Sequence, residues 1–258
     1  MTATLGIIGA GHLASYTVAG LRNGGDDRRI LVSPRNREVA AGLADTHGCE
    51  VMGSNQAVID HADWVLLCVR PEILDSVLAE CRFRDHQLVI SCIAGVGADR
   101  FAGASGAIRL VRAMPLSCAE FGAGAVPIFP ENEEVAGLFA PLGTVVQLQA
   151  EEQFELATVA ACYNGWLLDL FATVSGWLEQ KGLPPEKARE LTLSATAGAA
   201  ALGAGRTDLS LGQLSDGIAT PNTLTRLGLD HLKASGAFAP WAGACERLHQ
   251  RLQPESDD

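Results

Sequence analysis

The sequence has little of what several large classes of protein require. Lys plus Arg number 19 against 30 Asp plus Glu, so the net charge is −11 at pH 7. Such a surface repels polyanions on average, which argues against nucleic acid and anionic membranes as partners. No apolar run is long enough to span a bilayer, and the first residues carry no signal-peptide pattern. We therefore expect a soluble, cytoplasmic protein.

Metal-binding and disulfide patterns are also missing. The seven cysteines are widely spaced, without a C-x-x-C pair, and the six histidines form no pair at helical spacing. An odd number of scattered cysteines indicates neither a disulfide framework nor a zinc site. We therefore predict that the protein holds no metal.

The most informative stretch that is present lies near the N-terminus. Residues 5–14 read LGIIGAGHLA, an apolar run that breaks into a G-x-G-x-x-A turn and continues as a helical pattern. Gly9 allows the sharp bend, Gly11 lets a pyrophosphate approach the backbone, and Ala14 permits close packing of helix on strand. The positive end of the helix beginning near His12 would receive the pyrophosphate. The turn predicts dinucleotide binding.

The end of the second predicted strand favours NADP(H) over NAD(H). About 20 residues after the turn, an NAD site places a carboxylate on the ribose 2′-hydroxyl. Here residues 28–37 read RRILVSPRNR, which offers the Ser33 hydroxyl, an amide and two guanidinium groups instead. Arginine binds a phosphate through charge-assisted hydrogen bonds that a ribose hydroxyl cannot match. The alternative is that Arg35 and Arg37 are solvated charges at a helix start.

The distribution of apolar runs predicts two domains. In residues 1–150 short runs alternate with helical stretches such as 13–22 and 37–47, which predicts a mostly parallel sheet with helices on both faces. The predicted strands are residues 4–8, 30–33, 50–52, 64–68, 87–91, 107–113, 124–129 and 144–147. Beyond residue 151 the strand runs disappear, and residues 154–180, 185–203 and 219–251 predict long helices. We expect a Rossmann-like domain over residues 1–150 and an all-helical domain over residues 151–258.

Three further motifs end predicted strands. The sequence CVRP at 68–71 ends the central strand, SCIAGV at 91–96 ends the next, and VRAMP at 111–115 ends a third. Ligands of open α/β folds bind at the carboxyl ends of the strands, and a proline there turns the chain sharply. Each motif alone is as compatible with plain loop chemistry as with function. Three of them at successive strand ends favour a site.

Together these motifs resemble those of the pyrroline-5-carboxylate reductase family, which reduces a cyclic imine with a nicotinamide cofactor to make proline. GAGHLA at 9–14 is similar to the family's GxGNMA turn, VRP at 69–71 to its VKP, and SCIAG at 91–95 to its SIAAG. RAMP at 112–115 matches its RAMP, the most specific of the motifs, and GLP in residues 181–184 matches its GLP between two helices. The resemblance covers nearly the whole chain. It implies a helical dimerisation domain and a homodimer with the active site at its interface.

The motifs and the resemblance together imply a cofactor site for NADP(H). Its predicted members lie in the first turn, after the second strand, at the start of a helix, and after the two central strands. They are Gly9, Gly11, His12, Leu13, Ser33, Arg35, Asn55, Val69, Arg70, Pro71, Ala94 and Gly95.

The substrate motifs depart further from the family pattern than the cofactor motifs do. After RAMP the family continues NTP, whereas this chain has LSC at 116–118. Counted back without gaps from GLP, the family's SGSGPAY falls on AACYNGW at 160–166, so a small, glycine-lined helix start has become bulky and aromatic. The family's carboxylate-binding loop TSPGGTT falls on ATPNTLT at 219–225. A changed substrate is one consequence of these differences.

The predicted substrate site combines this loop with RAMP and the bulky helix segment. Hydroxyls, an amide and backbone N–H groups at a helix start can capture a carboxylate, although a simple helix cap is the alternative. We assign catalytic roles to Thr225 in this loop and to Tyr163 as a donor to the imine nitrogen, with a core position as the alternative for Tyr163. The predicted substrate-binding residues are Met114, Pro115, Asn164, Thr220, Asn222 and Thr223.

The sequence thus predicts an NADPH-dependent reductase of pyrroline-5-carboxylate or of a related imine. A β-hydroxyacid dehydrogenase would share the domain order, and those enzymes resemble one another in a catalytic Lys on the first long helix of the second domain. Residues 154–180 contain no Lys, which argues against that class. Two further alternatives remain open: a reductase of a different imine or of a carbonyl substrate, and a non-catalytic NADP-binding protein that acts through partner contacts.

Overall fold

The computed structural model describes residues 2–104 and 106–252. The chain forms two compact units, one that extends to Ala161 and one that starts at Cys162. The domain boundary predicted at residues 150/151 coincides with the start of a long helix, whose first eleven residues pack with the first unit. The boundary of the functional domains stays a prediction.

The first unit is built on an eight-stranded sheet in the order β3-β2-β1-β4-β5-β6-β7-β8. Each neighbouring pair of strands is parallel except β6 and β7, which are antiparallel. This confirms the predicted mostly parallel sheet. The strands are β1 Leu5–Ile8, β2 Ile30–Val32, β3 Glu50–Val51, β4 Trp64–Leu67, β5 Leu88–Ser91, β6 Arg109–Ala113, β7 Ala125–Phe129 and β8 Thr144–Gln147.

Helices cover both faces of this sheet. Side chains alternate along each strand, so Leu5 and Ile7 enter one apolar cluster with Val18, whereas Ile8 enters the other with Val58. Strands buried on both faces are apolar throughout, as the central runs of this sequence are. The helices are α1 His12–Asn23, α2 Arg37–His47, α3 Asn55–His61, α4 Leu74–Glu80 and α5 Glu133–Phe139.

The second unit is helical, as predicted. It contains most of α6 Glu151–Gln180, followed by α7 Pro185–Gly205, α8 Leu211–Ile218, α9 Leu224–Ala234 and α10 Ala239–Leu252. The single helix predicted over residues 219–251 is wrong, because the chain turns between α9 and α10 with Gly236 at a left-handed φ of 68°. Helix α8 was not predicted, although Ser210 and Gln213 form a capping box at its start. Within the described residues, no helix combines the length and apolar character needed to cross a membrane.

The turn after β1 requires a glycine at its first position. Gly9 has a φ of 99°, and a Cβ atom there would lie 2.6 Å from the carbonyl oxygen of Cys68. The Gly9 N–H donates to the Ser33 Oγ at 3.0 Å, which fixes the turn against the end of β2. A left-handed φ and a close backbone neighbour both exclude a side chain at this position.

We predict that Gly9→Ala lowers the free energy of unfolding by about 1–3 kcal/mol, the cost of a strained backbone conformation. Gly42→Ala in α2 is the matched control, because an added Cβ meets no atom within 4 Å there and φ is helical. The control should stabilise the protein by about 0.5–1 kcal/mol. Urea unfolding measures both values, and equal effects of the two variants would contradict the role of Gly9.

Candidate cofactor and substrate sites

A cleft of about 600 Å³ opens beside the turn that follows β1, between the loops that follow β2 and β4. The carboxyl ends of these parallel strands share one edge of the sheet, so the three loops converge there. The residues that line the cleft are Gly9, Ala10, Gly11, Arg35, Asn36, Arg37, Cys68, Val69, Arg70, Glu72 and Ile73. Five of the predicted cofactor residues are therefore brought together: Gly9, Gly11, Arg35, Val69 and Arg70.

The floor of the cleft fits a pyrophosphate. A Cβ on Gly11 would meet no heavy atom within 4 Å, so the backbone here faces open space. Gly11 is also the residue before the first turn of α1, whose free N–H groups and positive dipole end attract an anion. The turn can thus hold a diphosphate through backbone N–H groups alone.

Three arginines give the cleft a positive wall. Arg35, Arg37 and Arg70 are exposed, and within residues 2–104 and 106–252 their guanidinium groups make no hydrogen bond or ion pair. Glu72 is the one carboxylate among the described residues of the lining, so the local charge is positive in a chain of net charge −11. An anion such as a 2′-phosphate is the ligand that this arrangement favours.

Ser33 has a different position from the one predicted. Its side chain is buried, and its hydroxyl accepts the hydrogen bond from the Gly9 N–H. It therefore lies beneath the cleft and supports the turn, and a phosphate in the cleft would meet the arginines first. The direct contact of Ser33 with a phosphate is not supported, because the residue is 0% exposed.

The remaining predicted cofactor residues lie around the cleft but do not line it. His12 and Leu13 open α1, and Pro71 opens a short 3₁₀ turn after β4. Asn55 opens α3 behind the cap Ser54. Ala94 and Gly95 are exposed in the loop that follows β5, where Gly95 has a φ of 67°. Their contacts with a cofactor stay predictions.

Two cysteine side chains, Cys68 and Cys92, lie at the carboxyl ends of β4 and β5. Burial, together with the hydrogen bond between its thiol and Cys68, raises the pKa of Cys92 well above its ordinary value. The Cys92 side chain therefore stays protonated at neutral pH and adds no negative charge near the cleft. None of the seven cysteines, all of them among the described residues, forms a disulfide.

The loop predicted to bind a carboxylate forms the start of α9, and one of its hydroxyls is already hydrogen-bonded within the protein. Thr223 caps α9, since its Oγ1 accepts from the Arg226 N–H at 3.2 Å and donates to the Thr220 carbonyl at 2.7 Å. Asn222 has a left-handed φ of 68°, a conformation that asparagine tolerates and that a glycine would supply more readily. The capping alternative is therefore correct for Thr223. The exposed Thr220 and Thr225 hydroxyls, on either side of it, make no hydrogen bond among the described residues.

Tyr163 belongs to an aromatic cluster of the helical unit. Its ring contacts Trp241 edge to face at a centroid distance of 5.6 Å and Trp166 at 6.5 Å. The side chain is half-exposed, so the core alternative is not supported. Asn164 follows it on α6 and is half-buried. Sequence reasoning missed Trp241, which lies 78 positions from Tyr163 and carries no local motif.

RAMP ends β6 with a buried ion cluster that sequence reasoning also missed. Arg112 is 1% exposed, and its Nη1 lies 2.7 Å from carboxylate oxygens of both Glu151 and Glu155. Its guanidinium carbon lies 4.4 Å from the centre of the Phe154 ring. Just beyond it, Met114 is half-buried and Pro115 is buried. The four-residue spacing of the two glutamates on α6 was the available signal.

The fold and the cleft define a dinucleotide-binding oxidoreductase of the Rossmann type. Residues 4–95 match the family model described as NADP oxidoreductase, coenzyme F420-dependent. Residues 151–254 match the model for pyrroline-5-carboxylate reductase dimerisation. The chain belongs to the pyrroline-5-carboxylate reductase family.

Relatives of similar length support this assignment. The pyrroline-5-carboxylate reductase of Pseudomonas aeruginosa is 27% identical, with 97% of this chain and 96% of the relative covered. In fold, the chain is similar to 1-pyrroline-5-carboxylate reductase from Streptococcus pyogenes, with a TM-score of 0.84, 24% identity and coverage of 97% and 98%. It is also similar to Plasmodium falciparum pyrroline carboxylate reductase solved with NADP bound, with a TM-score of 0.83, 20% identity and coverage of 97% of both chains.

We predict that Arg35→Ala weakens NADPH binding about 10- to 100-fold, which is the loss of a hydrogen bond between charged groups. Binding of NADH should change less than about twofold, because that cofactor has no 2′-phosphate for the arginine to bind. Arg29→Ala is the control, since its guanidinium pairs with Glu50 at 2.7 Å and does not line the cleft. Fluorescence titration with each cofactor gives the affinities, and an equal loss for NADH would contradict the assignment.

We predict that Arg112→Leu destabilises the protein by about 3–5 kcal/mol, because it leaves two carboxylates close together without their cation. Arg109→Ala on the same strand is the control, since its pair with Glu134 is half-exposed and such pairs contribute about 1 kcal/mol or less. Urea unfolding compares the two variants. Equal losses would contradict the account of the buried cluster.

Proposed function

We propose that the protein is an NADPH-dependent reductase of a carboxylated cyclic imine, pyrroline-5-carboxylate or a close relative. The observation that carries the proposal is the cleft at the carboxyl edge, in which a glycine turn and three exposed arginines converge in a chain of this family. The description of the matched model as an NADP oxidoreductase supports the predicted cofactor. When bound, NADPH supplies a hydride for the imine carbon.

The protein's own residues would bind and orient the reactants. The N–H groups at the start of α1, which the turn of Gly9 and Gly11 exposes, would hold the pyrophosphate, and Arg35 and Arg70 would bind the 2′-phosphate. Met114 and Pro115, at the end of β6, would form part of the wall against which the ring packs. Because reduction of an imine needs little acid–base chemistry, near-attack positioning is the main task of these residues.

The helical unit would capture the substrate. Thr220 and Thr225 have hydroxyls available as donors to a carboxylate, and Asn222 adds an amide. As at any helix start, the first N–H groups of α9 have no acceptor within the helix, so they can bind an anion. We keep Tyr163 as the proposed proton donor to the imine nitrogen, because its ring is half-exposed. The aromatic cluster around it, where the family has small residues, favours a related imine as the alternative substrate.

The helical unit also supports a homodimer. Among its described residues, helices α8, α9 and α10 have no buried side chain. Leu211, Leu224 and Leu227 are 73%, 87% and 70% exposed. Such an apolar surface marks a protein interface, and the match to a dimerisation model agrees with it. We propose a cytoplasmic homodimer with the substrate site at the interface.

NADPH oxidation at 340 nm tests the function. Purified protein should oxidise NADPH on addition of pyrroline-5-carboxylate or of another cyclic imine from a small panel, and should do so faster than it oxidises NADH. The Thr225→Val variant should raise the KM for a carboxylated imine about 10-fold or more, as expected for a lost hydrogen bond to a charged group. Bound NADPH without turnover on any imine would contradict the proposal and favour a binding role.

A further inference from the structure

We propose that Glu151 is a positioning residue that holds the loop after β5 in place for hydride transfer, through a direct hydrogen bond to the backbone of that loop. The proposal rests on the proposed function for its kinetic consequence. Its structural consequence, an ordered loop over residues 94–98, can be measured in the absence of any substrate.

Glu151 joins three parts of the first unit. Its Oε1 accepts a hydrogen bond from the Ala98 N–H at 2.9 Å and another from Arg112 Nη1 at 2.7 Å. Ala98 opens the 3₁₀ turn that ends the β5 loop, and Arg112 lies at the end of β6. The first residue of α6 thereby binds the backbone of the loop after β5, the strand next to β6. The hydrogen bonds are charge-assisted, because the acceptor is a carboxylate and one of the two donors is the buried guanidinium of Arg112.

The loop that Glu151 holds follows β5, where the reacting end of a bound dinucleotide would lie. The strand order places β2, β1, β4, β5 and β6 side by side. The arginines that suit a 2′-phosphate follow β2 and β4, and the turn that suits the pyrophosphate follows β1. A dinucleotide laid across this edge would extend its nicotinamide half toward β5 and β6. The exposed Ala94 and Gly95 lie there, within four residues of the anchored Ala98.

Glu155 provides an internal comparison. It lies one helical turn after Glu151, and its carboxylate is also 2.7 Å from Arg112 Nη1. No hydrogen bond joins it to the β5 loop within the described residues. If these glutamates served only as counter-ions for Arg112, removal of either would have the same effect. If Glu151 positions the loop, removal of Glu151 alone would disturb it.

The backbone donor can be removed without a change to the charges. Ala98 is the first residue of a 3₁₀ turn, a position that accepts proline, and Gly97 before it has an extended ψ of 166° that suits a following proline. The Ala98→Pro variant therefore lacks the N–H that Glu151 binds, and the proline Cδ takes the place of that hydrogen, so the Glu151 carboxylate has to withdraw from the loop. Every charge is kept and Glu155 still pairs with Arg112, so the variant breaks the loop contact without removal of a carboxylate.

The test compares Glu151→Ala, Ala98→Pro and Glu155→Ala with the parent protein. Amide hydrogen exchange of a peptide covering residues 94–101 should become about tenfold faster in the first two variants, as expected when a hydrogen bond to a charged group is lost. Glu155→Ala should leave exchange of this peptide within about twofold of the parent, although it also removes a carboxylate that lies 2.7 Å from Arg112 Nη1.

Steady-state kinetics provide the second readout. The first two variants should lower kcat about tenfold or more with less than about a threefold change in the KM for NADPH, because a small displacement at the reacting end costs rate and leaves the anchored phosphates in place. Equal exchange in Glu151→Ala and Glu155→Ala, or parental exchange in Ala98→Pro, would overturn the proposal. If the parent reduces no imine, the proposed function fails while the exchange result still decides the role of Glu151.

Discussion

The structure depends on one constraint: strands β1, β2, β4, β5 and β6 are parallel and adjacent, so their carboxyl ends share one edge. The loops that leave this edge therefore start next to one another in space. The glycine turn, the arginine-rich loop and RAMP are far apart in sequence, and the sheet alone brings their strand ends together. Backbone N–H groups, positive side chains and an apolar wall thereby become available to one elongated ligand.

The buried Arg112 cluster shows how this edge is connected to the helix that follows the sheet. A buried cation needs partners, and α6 supplies Glu151 and Glu155 in its first turns. Glu151 also binds the loop after β5, so the carboxylate that pairs with the arginine orders a backbone segment as well. The Glu151 carboxylate thus contributes both to the stability of the buried cluster and to the position of the loop after β5.

The sequence was sufficient to predict elements defined by local periodicity and insufficient for contacts between distant residues. All eight strands were predicted because their apolar runs are short and bounded. The segment between α9 and α10 contains Gly236 and Pro240, both signals of a helix end, which the prediction of one helix over residues 219–251 overlooked. The pairing of Arg112 with Glu151 spans 39 positions and follows only from the fold. Ser33 was expected to face a phosphate, yet its hydroxyl binds the Gly9 backbone beneath the cleft.

The most direct test of the central claim follows the hydride itself. The purified protein is incubated with pyrroline-5-carboxylate and NADPH that carries deuterium at both C4 positions, and the product is analysed by mass spectrometry. A reductase of this imine produces proline one mass unit heavier, with the deuterium on the former imine carbon. Oxidation of the cofactor without deuterium in an amine product, or the absence of a reduced product, would contradict the account.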